Sequence, residues 1–417
     1  MRILVVLDSI NINDSSGSKA NVALIKNLKK AGFHLKVYHY TRKEIQLEGI
    51  ACVPVKEQKL THWYFLSKAQ LFLRRITSIN LNLLIEKYFG FSFTHFNDTL
   101  SIKKGLLKET NFNPDWVLTL SKAGSFRPHK ALLGIPKWHD KWLAYVHDPY
   151  PMHSYPRPYD WVEPGHNQKR DFFMQVAEKS KKVIYPSGLL AEWMESYYPP
   201  LKDKSLIIPH QIFPLETINE NSPLFFKADF FSLIHAGSLM KQRNPRPLVN
   251  GYIKFLQETP GAKEQSQLIF IGTIDENHKD FLNQVAANHK QIVIQDKYME
   301  FNQASNLQRL ASMNIILESN AEISPFLPGK FPHAVQTNKY ILHIGPKQSE
   351  TANLLGKNYP FQIENKNEDD IKNCIKIAFS KWKTNPEDFL LNREDLVEYL
   401  SVHYIIKNKA LFFDNHD

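Results

Sequence analysis

The stretch RILVVLDSI, Arg2–Ile10, contains five consecutive apolar residues and is typical of a β-strand covered on both faces. A polar segment with Gly17, NINDSSGSKA, follows it and is expected to be a loop. ANVALIKNLKKAG then shows helical spacing of apolar residues, and Gly32 is placed to end that helix. FHLKVYHY alternates apolar and polar residues as a second strand does. This order of elements predicts an α/β fold that opens a doubly wound sheet.

Similar strands recur along the chain. They are predicted by DWVLTLS, WLAYVHD, KKVIYPS and SLIIPH, and later by FFSLIHAGSL, QLIFIG, QIVIQD, NIILES and KYILHIG. Both halves begin with a strand that enters a glycine-containing loop, so we expect two tandem Rossmann-like domains. We place the N-terminal domain at residues 1–212, a linker at 213–228 and the C-terminal domain at 229–385. A helical segment, 386–417, either caps the second domain or crosses back to the first.

Composition narrows the class of protein. With 417 residues, 43% hydrophobic and 12% aromatic, the chain is globular and too long for a single core. A net charge of +10 favours anionic partners, but the basic residues are scattered, which argues against nucleic acid. Cys52 and Cys374 form no metal-ligand spacing, and Cys374 is expected to pack as a small hydrophobe. A reduced, cytoplasmic protein is expected.

An aromatic-rich stretch, residues 61–96, carries Lys68, Arg74, Arg75 and Lys87 among its apolar residues. One interpretation is a set of helices packed on the N-terminal sheet. The other is an interfacial patch that docks on lipid or admits a lipid-linked acceptor, which would place the protein peripherally at the inner face of a membrane. The sequence leaves both interpretations open.

Two cations follow predicted strands of the second half, where open α/β sheets bind ligands. In HAGSLMKQRNPRPL, Gly237 leaves space at a strand end, and Arg243 precedes a helix expected to open at Asn244-Pro245. In SPFLPGKFPHAV, a stiff turn leads into a helix that begins near Lys330. A lysine at a helix start is unfavourable unless an anion binds beside it. Together the two cations predict a diphosphate site.

Several motifs of phosphate and metal binding are missing from the sequence. It has no G-x-x-x-x-G-K-[ST], no G-x-G-x-x-G and no Asp-x-Asp. The positive charge on a diphosphate is therefore expected to come from side chains and helix ends. This pattern suits a metal-independent nucleotide-sugar enzyme, with no metal and no other cofactor.

HAGSLMKQRNPRPL, followed at a distance by ESNAEISPFLPGKFPHAV, resembles the donor domain of GT-B glycosyltransferases of the retaining family-4 type. WLAYVHDPYP and the glycine-containing loop after the first strand are similar to its N-terminal half. The resemblance implies two Rossmann-like domains facing across a cleft. It also implies transfer of a sugar, as in polysaccharide biosynthesis, from a nucleotide diphosphate sugar to a glycan, lipid-linked or small-molecule acceptor.

The resemblance assigns roles around the transferred sugar. Gly17 would approach the donor phosphate, Arg243 would bind the diphosphate, and Lys330 would lie on the phosphate-binding turn. His147 would lie beside the reacting carbon and the acceptor. Asp148 is a candidate general base for an inverting reaction, whereas a retaining reaction needs no dedicated base.

The donor turn also departs from the family pattern. Glu322 is the expected sugar-side carboxylate, with Glu318 as a substitute, but the family's second glutamate falls at Lys330. A family acid falls at His333 and a family glycine at Asn338. These departures leave two alternatives open: a nucleotide-sugar epimerase or hydrolase, and an inactive nucleotide-binding scaffold. The remaining expected donor contacts are Gly237, Ser238, Phe326, Leu327, Pro328, Gly329 and His333.

Overall fold

The computed structural model describes residues 1–213, 223–364 and 367–413, which form two compact units. The first unit contains residues 1–155, 160–211 and the chain from 401 onward. The second contains residues 156–159 and 212–400. Three parts of the predicted domain plan lie outside the described residues: 214–222 of the linker, 365–366 of the C-terminal domain and 414–417 of the C-terminal segment.

The described part of the first unit contains one parallel sheet of seven strands, in the order β3-β2-β1-β4-β5-β6-β7. The strands are β1 Arg2–Leu7, β2 His34–His39, β3 Ala51–Pro54, β4 Trp116–Leu120, β5 Trp142–Tyr145, β6 Lys182–Tyr185 and β7 Ser205–Ile207. The connections reverse direction between β1 and β4, which makes this the topological switch point where such sheets bind ligands.

Helices link these strands. They are α1 Ser16–Lys30, α2 His62–Thr77, α3 Asn82–Phe89, α4 Phe93–Leu107, α5 Arg127–Leu133, α6 His166–Lys179 and α7 Gly188–Tyr197, with short 3-10 turns at Pro136–Lys141, Met152–Ser154 and Pro199–Leu201. Helix α1 begins earlier than the sequence suggests, because the Ser15 hydroxyl accepts a hydrogen bond from the Ser18 N–H at 3.1 Å. Gly17 therefore lies in a first helical turn and not in a loop.

The second unit repeats this architecture, and its described residues form a main sheet of six strands in the order β10-β9-β8-β11-β13-β15. The strands are β8 Phe231–Ala236, β9 Ser266–Ile271, β10 Ile292–Gln295, β11 Met313–Leu317, β13 Tyr340–Ile344 and β15 Gln362–Ile363, and β12 Ile323–Ser324 pairs with β14 Gln348–Ser349. The helices are α8 Arg246–Glu258, α9 Ala262–Gln265, α10 Glu276–Asn288, α11 Phe301–Leu310, α12 Phe331–Gln336, α13 Glu350–Leu355, α14 Glu368–Thr384 and α15 Glu394–Tyr399. Here the switch point lies between β8 and β11.

The last described residues belong to the first unit. They form α16 Val402–Lys407 and α17 Lys409–Phe413. The Trp116 indole N–H donates to the Phe413 carbonyl at 2.8 Å, and the Phe413 ring lies 4.6 Å from the Phe33 ring. These contacts pack the end of α17 against β4 and the turn between α1 and β2.

The predicted α/β class is confirmed, and each predicted strand is present. Pattern reasoning missed β3, β12, β14 and β15, because β3 has four residues ending in a proline and the other three have only two each. Cys374 packs in the apolar core of the second unit, as expected, and burial raises the pKa of its thiol to about 12. Among the described helices, none combines the length and apolar character that a membrane-spanning segment needs.

Candidate functional site

The first group of candidate residues meets at the carboxyl edge of the second unit's sheet. His235 lies at the end of β8, and Lys330 is the N-cap residue of α12, where the sequence predicted a helix start. The Lys330 ammonium donates to Nε2 of His235 at 2.8 Å. A lysine from the turn after β11 is thus held against the end of β8, at the switch point of the sheet.

Gly237 makes this contact possible. Its φ of +136° lies in a region that side chains rarely adopt, and a Cβ there would lie 3.0 Å from the Lys330 Nζ. Gly272 is equally constrained, since a Cβ on it would come within 2.8 Å of the Gly237 backbone. Gly237 thus leaves space at the strand end, as expected, and the Lys330 side chain fills that space.

The charges at this edge are of one sign. Burial lowers the pKa of Lys330 well below its ordinary value, and the nearby Arg243 guanidinium lowers it further. Burial, with Lys330 and Arg243, also lowers the pKa of His235, which leaves a neutral imidazole that accepts the lysine's hydrogen bond. Within the described ranges, no carboxylate forms an ion pair with Lys330. An anion is the ligand that such a site favours.

Arg243 approaches the same edge from the loop after β8. Its Nη1 lies 3.4 Å from the Ser238 carbonyl, and the Ser238 hydroxyl lies 2.8 Å from that of Thr273. Helix α8 begins one residue later than expected, with Pro245 at the N-cap, and the Asn244 side chain accepts from the Arg246 N–H at 3.0 Å. The loop is thereby fixed while the guanidinium stays partly exposed.

The turn before α12 is a packed support for Lys330. Leu327 is buried in a core cluster, and the Phe326 ring lies 5.7 Å from Tyr159. The Pro328 carbonyl accepts from the Phe331 N–H at 2.8 Å, whereas Gly329 is exposed and a Cβ on it would have no atom within 4 Å. Because α12 has only six residues, its dipole contributes less than the sequence suggested, and the positive charge here comes from side chains.

The two candidate glutamates occupy different environments. Glu318 is buried directly after β11, and its Oε1 lies 2.9 Å from Nε2 of His343. Burial alone would raise the pKa of Glu318, but His343, Ser324 and Thr351 hold it below its ordinary value. Glu322 is exposed. The structure thus gives Glu318 a bond within the core and leaves Glu322 as the accessible carboxylate of this segment.

Both departures from the family pattern have a structural basis. The His333 ring lies 4.9 Å from the Phe301 ring in a T-shaped arrangement, so this histidine packs between helices α12 and α11. Asn338 has a φ of 55°, a left-handed conformation that asparagine tolerates better than most residues. Its side chain accepts from the Asn392 N–H at 2.8 Å. Asparagine therefore serves where a glycine was expected.

His147 follows β5 in the first unit, and both of its ring nitrogens are bonded. Nε2 lies 2.6 Å from the Asn21 side-chain oxygen, which only accepts, so this nitrogen carries the proton. Nδ1 then accepts from Nε2 of His210 at 3.0 Å. Burial lowers the pKa of His147 well below its ordinary value, as do the neighbouring His210 and His129. The ring is a neutral group held in place.

The other sequence candidates of the first unit are more accessible. Asp148 is partly exposed next to His147. Gly17 has room for a side chain, since a Cβ would lie 3.6 Å from the nearest atom, on Lys122. A side chain at residue 17 would therefore fit within the first unit without a steric clash.

A polar cavity of about 370 Å³ opens at the carboxyl edge of the first sheet, within the first unit. Its walls are charged or hydroxyl-bearing side chains: Asp8, Ser9, Asp14, Tyr40, Thr41, Arg42, Thr94, Asp98, Lys122, Ser125 and Arg127. Arg127 bridges two of the acids, at 3.0 Å from Asp98 and 3.7 Å from Asp8. Burial raises the pKa of Asp98, although Arg127, Tyr40 and Arg42 pull it down.

Asp8 stands out among these residues. It is buried, and its Oδ2 accepts from the Ser125 hydroxyl, while its Oδ1 has no hydrogen-bond partner among the described residues. Sequence reasoning missed Asp8, yet the signal was available: it follows the first apolar strand directly, as Glu318 follows β11. Arg127 and Asp98 carry no such signal, because they reach the cavity from helices α5 and α4.

Clusters of metal-ligating side chains were also sought. Over the described ranges, no group of three histidine, cysteine, aspartate or glutamate residues has an arrangement that holds a metal ion.

No protein-family model and no curated protein sequence matches the chain. Solved structures do match it over nearly its whole length. A glycosyltransferase from Rickettsia africae aligns with a TM-score of 0.59 and 15% identity, covering 99% of this chain and 97% of that one. The Anabaena protein HepE, in complex with UDP and glucose, gives 0.59 and 13%, with 99% of both chains covered.

A third similar structure is a UDP-forming trehalose-phosphate synthase from Burkholderia xenovorans in complex with glucose-6-phosphate. It aligns with a TM-score of 0.62 and 9% identity, covering 99% of this chain and all of that one. At these identities the likeness establishes the fold. Together with two parallel sheets of matching strand order, it shows that the chain has the GT-B fold.

Proposed function

We propose that the chain is a glycosyltransferase that binds a nucleotide diphosphate sugar at the carboxyl edge of its second sheet. The observation that carries the proposal is the half-buried Lys330, whose ammonium faces a neutral histidine and the Arg243 guanidinium. A diphosphate would compensate both charges and use the bidentate geometry of arginine. The similar structures support this assignment, because two of them are described with UDP or as UDP-forming.

The same two cations suit the chemical step. As the bond between the sugar and the diphosphate breaks, negative charge grows on the leaving phosphate oxygen, and Lys330 and Arg243 stabilise it. In a retaining reaction that oxygen takes the acceptor's proton, and no metal and no dedicated base are needed. Glu322, as the exposed carboxylate, is positioned on the turn to bind the sugar hydroxyls. We therefore propose metal-independent transfer with retention, of the family-4 type.

The cavity of the first unit is our candidate acceptor site. Carboxylates, guanidinium groups and hydroxyls dominate its walls, which favours a hydroxyl-rich acceptor group such as a sugar. The free Oδ1 of Asp8 is the natural partner for an acceptor hydroxyl. Since His147 is fully bonded, we assign it a positioning role through Asn21 and His210.

Thermal-shift screening with UDP-, GDP- and ADP-sugars tests the donor site. We expect one nucleotide diphosphate to stabilise the wild type, and Arg243→Ala and Lys330→Ala each to remove most of that shift. Lys290→Ala, which removes an exposed lysine of the same unit, is the control and should respond as wild type does. If Arg243→Ala and Lys330→Ala also respond like wild type, the phosphate assignment is wrong.

Turnover assays separate the proposed activity from its two alternatives. Transfer to a sugar acceptor that survives EDTA supports a metal-independent glycosyltransferase. Donor hydrolysis without any acceptor would favour an epimerase or hydrolase on the same fold. Nucleotide binding by calorimetry with no loss of sugar from any donor would favour a scaffold. We expect the reaction in the cytoplasm, in keeping with two buried, unpaired cysteines.

A further inference from the structure

The first unit presents a strongly apolar surface on helices α2 and α3. We call residues 60–89 the apolar hairpin. Of the 23 exposed large hydrophobic side chains among the described residues, twelve lie within it. They are Leu60, Phe65, Leu66, Leu71, Phe72, Leu73, Ile76, Ile79, Leu83, Leu84, Tyr88 and Phe89. Phe72 is 63% exposed and Ile76 65%, values that single surface residues reach but contiguous groups rarely do.

The orientation of α2 is the reverse of that in an ordinary surface helix. Its buried residues are Ser67 and Gln70, which are polar, and Gln70 donates to the Asn82 side chain of α3. Every residue from 71 to 80 is exposed. A helix that only covers a core turns its apolar stripe inward. This helix turns polar groups to the protein and aromatic and aliphatic groups outward.

The apolar hairpin is nevertheless firmly attached at both ends. At its start, the Thr61 hydroxyl donates to the Asn97 side chain at 2.6 Å, and Trp63 stacks on Phe96 at 4.7 Å. At its end, Gly165 packs so closely that a Cβ on it would lie 2.0 Å from the Glu86 carbonyl oxygen. These contacts at both ends fix the position of the hairpin, and therefore of its exposed apolar face, on the first unit.

The charges of the hairpin are nearly all positive. Lys68, Arg74, Arg75 and Lys87 are exposed, and in the described part of the chain none of them forms an ion pair. Glu86 is the hairpin's sole acid in sequence, and Lys169 neutralises it at 3.1 Å. Exposed cations on the same two helices as exposed aromatic and aliphatic side chains match a surface that is apolar within and anionic at its boundary.

We propose that the apolar hairpin docks the protein peripherally on an anionic lipid bilayer. Phe72, Ile76 and their exposed neighbours enter the boundary between headgroups and acyl chains, while Arg74 and Arg75 contact lipid phosphates. A bilayer explains both features of the hairpin at once, because a purely apolar partner would leave the four cations without counter-charges. The proposal is independent of the glycosyltransferase activity, and it decides between the two interpretations that the sequence left open.

Flotation of the full-length protein with vesicles tests the proposal. We expect binding to vesicles of equimolar phosphatidylglycerol and phosphatidylcholine, and much weaker binding to phosphatidylcholine alone. Each cation near an anionic surface strengthens binding about fivefold, so Arg74→Gln with Arg75→Gln should weaken it about 30-fold. Phe72→Ser with Ile76→Ser should reduce it at least as much. Because all four side chains are exposed, these variants should fold normally, which circular dichroism checks.

Matched control variants change the same chemistry elsewhere. Val162→Ser with Ile406→Ser replaces exposed apolar residues of the same unit, and Lys376→Gln with Lys383→Gln removes two exposed cations. Both controls should bind anionic vesicles as wild type does. Equal loss in the controls, or no vesicle binding by wild type, would overturn the proposal. So would a wild-type dimer that Phe72→Ser with Ile76→Ser converts to a monomer, since the surface would then join two copies of the chain.

Discussion

Replacing Lys330 by methionine should have opposite effects on stability and on nucleotide binding. Burial and Arg243 lower the pKa of this lysine in the folded protein, so the folded state binds its proton less tightly than the unfolded chain does. Methionine keeps the apolar stem and removes that cost, but it loses the 2.8 Å bond to His235, a loss of about 1 kcal/mol. Removal of a charge that has no ion-pair partner should outweigh that loss, so we expect a net gain in stability and a higher Tm.

The gain depends on pH with a defined sign. The pH window of interest lies between the lowered pKa of Lys330 in the folded protein and its ordinary value of 10.5. Within this window the unfolded chain binds the lysine's proton more than the folded chain does, so the stability of the wild type rises with pH. The advantage of methionine is therefore largest below the window, and above 10.5 the lost bond to His235 should leave the variant less stable than the wild type. Urea unfolding of both proteins at several pH values measures it, with Lys290→Met as the exposed control.

Nucleotide binding should change in the other direction. A ligand at 100 times its Kd stabilises the wild type by about 2.7 kcal/mol. Loss of one charge-assisted contact costs about 1.5–3 kcal/mol, a Kd increase of about 10- to 150-fold. At the same ligand concentration, the stabilisation of Lys330→Met should fall to about 0.3–1.4 kcal/mol. A variant that is less stable without nucleotide and equally stabilised by it would refute the reasoning on both counts.

Three further predictions concern residues around the two sheets. Gly237→Ala places a Cβ 3.0 Å from the Lys330 Nζ at a positive φ, so it should cost about 1–3 kcal/mol and weaken the nucleotide response, as unfolding and thermal-shift measurements will show. Glu318→Ala removes the buried partner of a histidine and should cost about 3 kcal/mol in urea unfolding, whereas Glu322→Ala should leave stability within about 0.5 kcal/mol and reduce turnover instead. Burial raises the pKa of Glu109, but hydrogen bonds from Lys36 and Tyr38 outweigh it and hold the pKa at about 2. The stabilising effect of this carboxylate is therefore complete above pH 4.5 and lost as the pH falls through 2. Urea unfolding should show Glu109→Gln to be less stable than wild type by about 1 kcal/mol at neutral pH and equally stable in strong acid.

Strand and helix patterns predicted most of the fold because parallel strands covered on both faces are continuous apolar runs. The segments around β1, β8 and β11 are examples, and each ends where a glycine or a polar residue begins. A different signal located Lys330: a lysine beside two prolines and a glycine, in the turn after a strand, is unusual. The first polar residue after an apolar strand is a signal of its own, and it marks Asp8 after β1 as it marks Glu318 after β11.

The remaining features of the site depend on contacts between residues distant in sequence. The partner of Lys330 is His235, 95 residues away, and that of His147 is Asn21, 126 residues away. No local pattern reports such pairs. The outward orientation of α2 was left open for a similar reason: the sequence shows which residues of a helix are apolar, but not whether another part of the protein covers them.

The return of residues 401–413 to the first unit constrains how the molecule is made. These residues leave the ribosome only after the whole second unit has been synthesised, and until then Trp116 and Phe33 lack the ring and carbonyl of Phe413. Domains usually fold during synthesis in order from the N-terminus. Here the seven strands of the first sheet are synthesised early, but helices α16 and α17 join them only after translation of some 190 intervening residues.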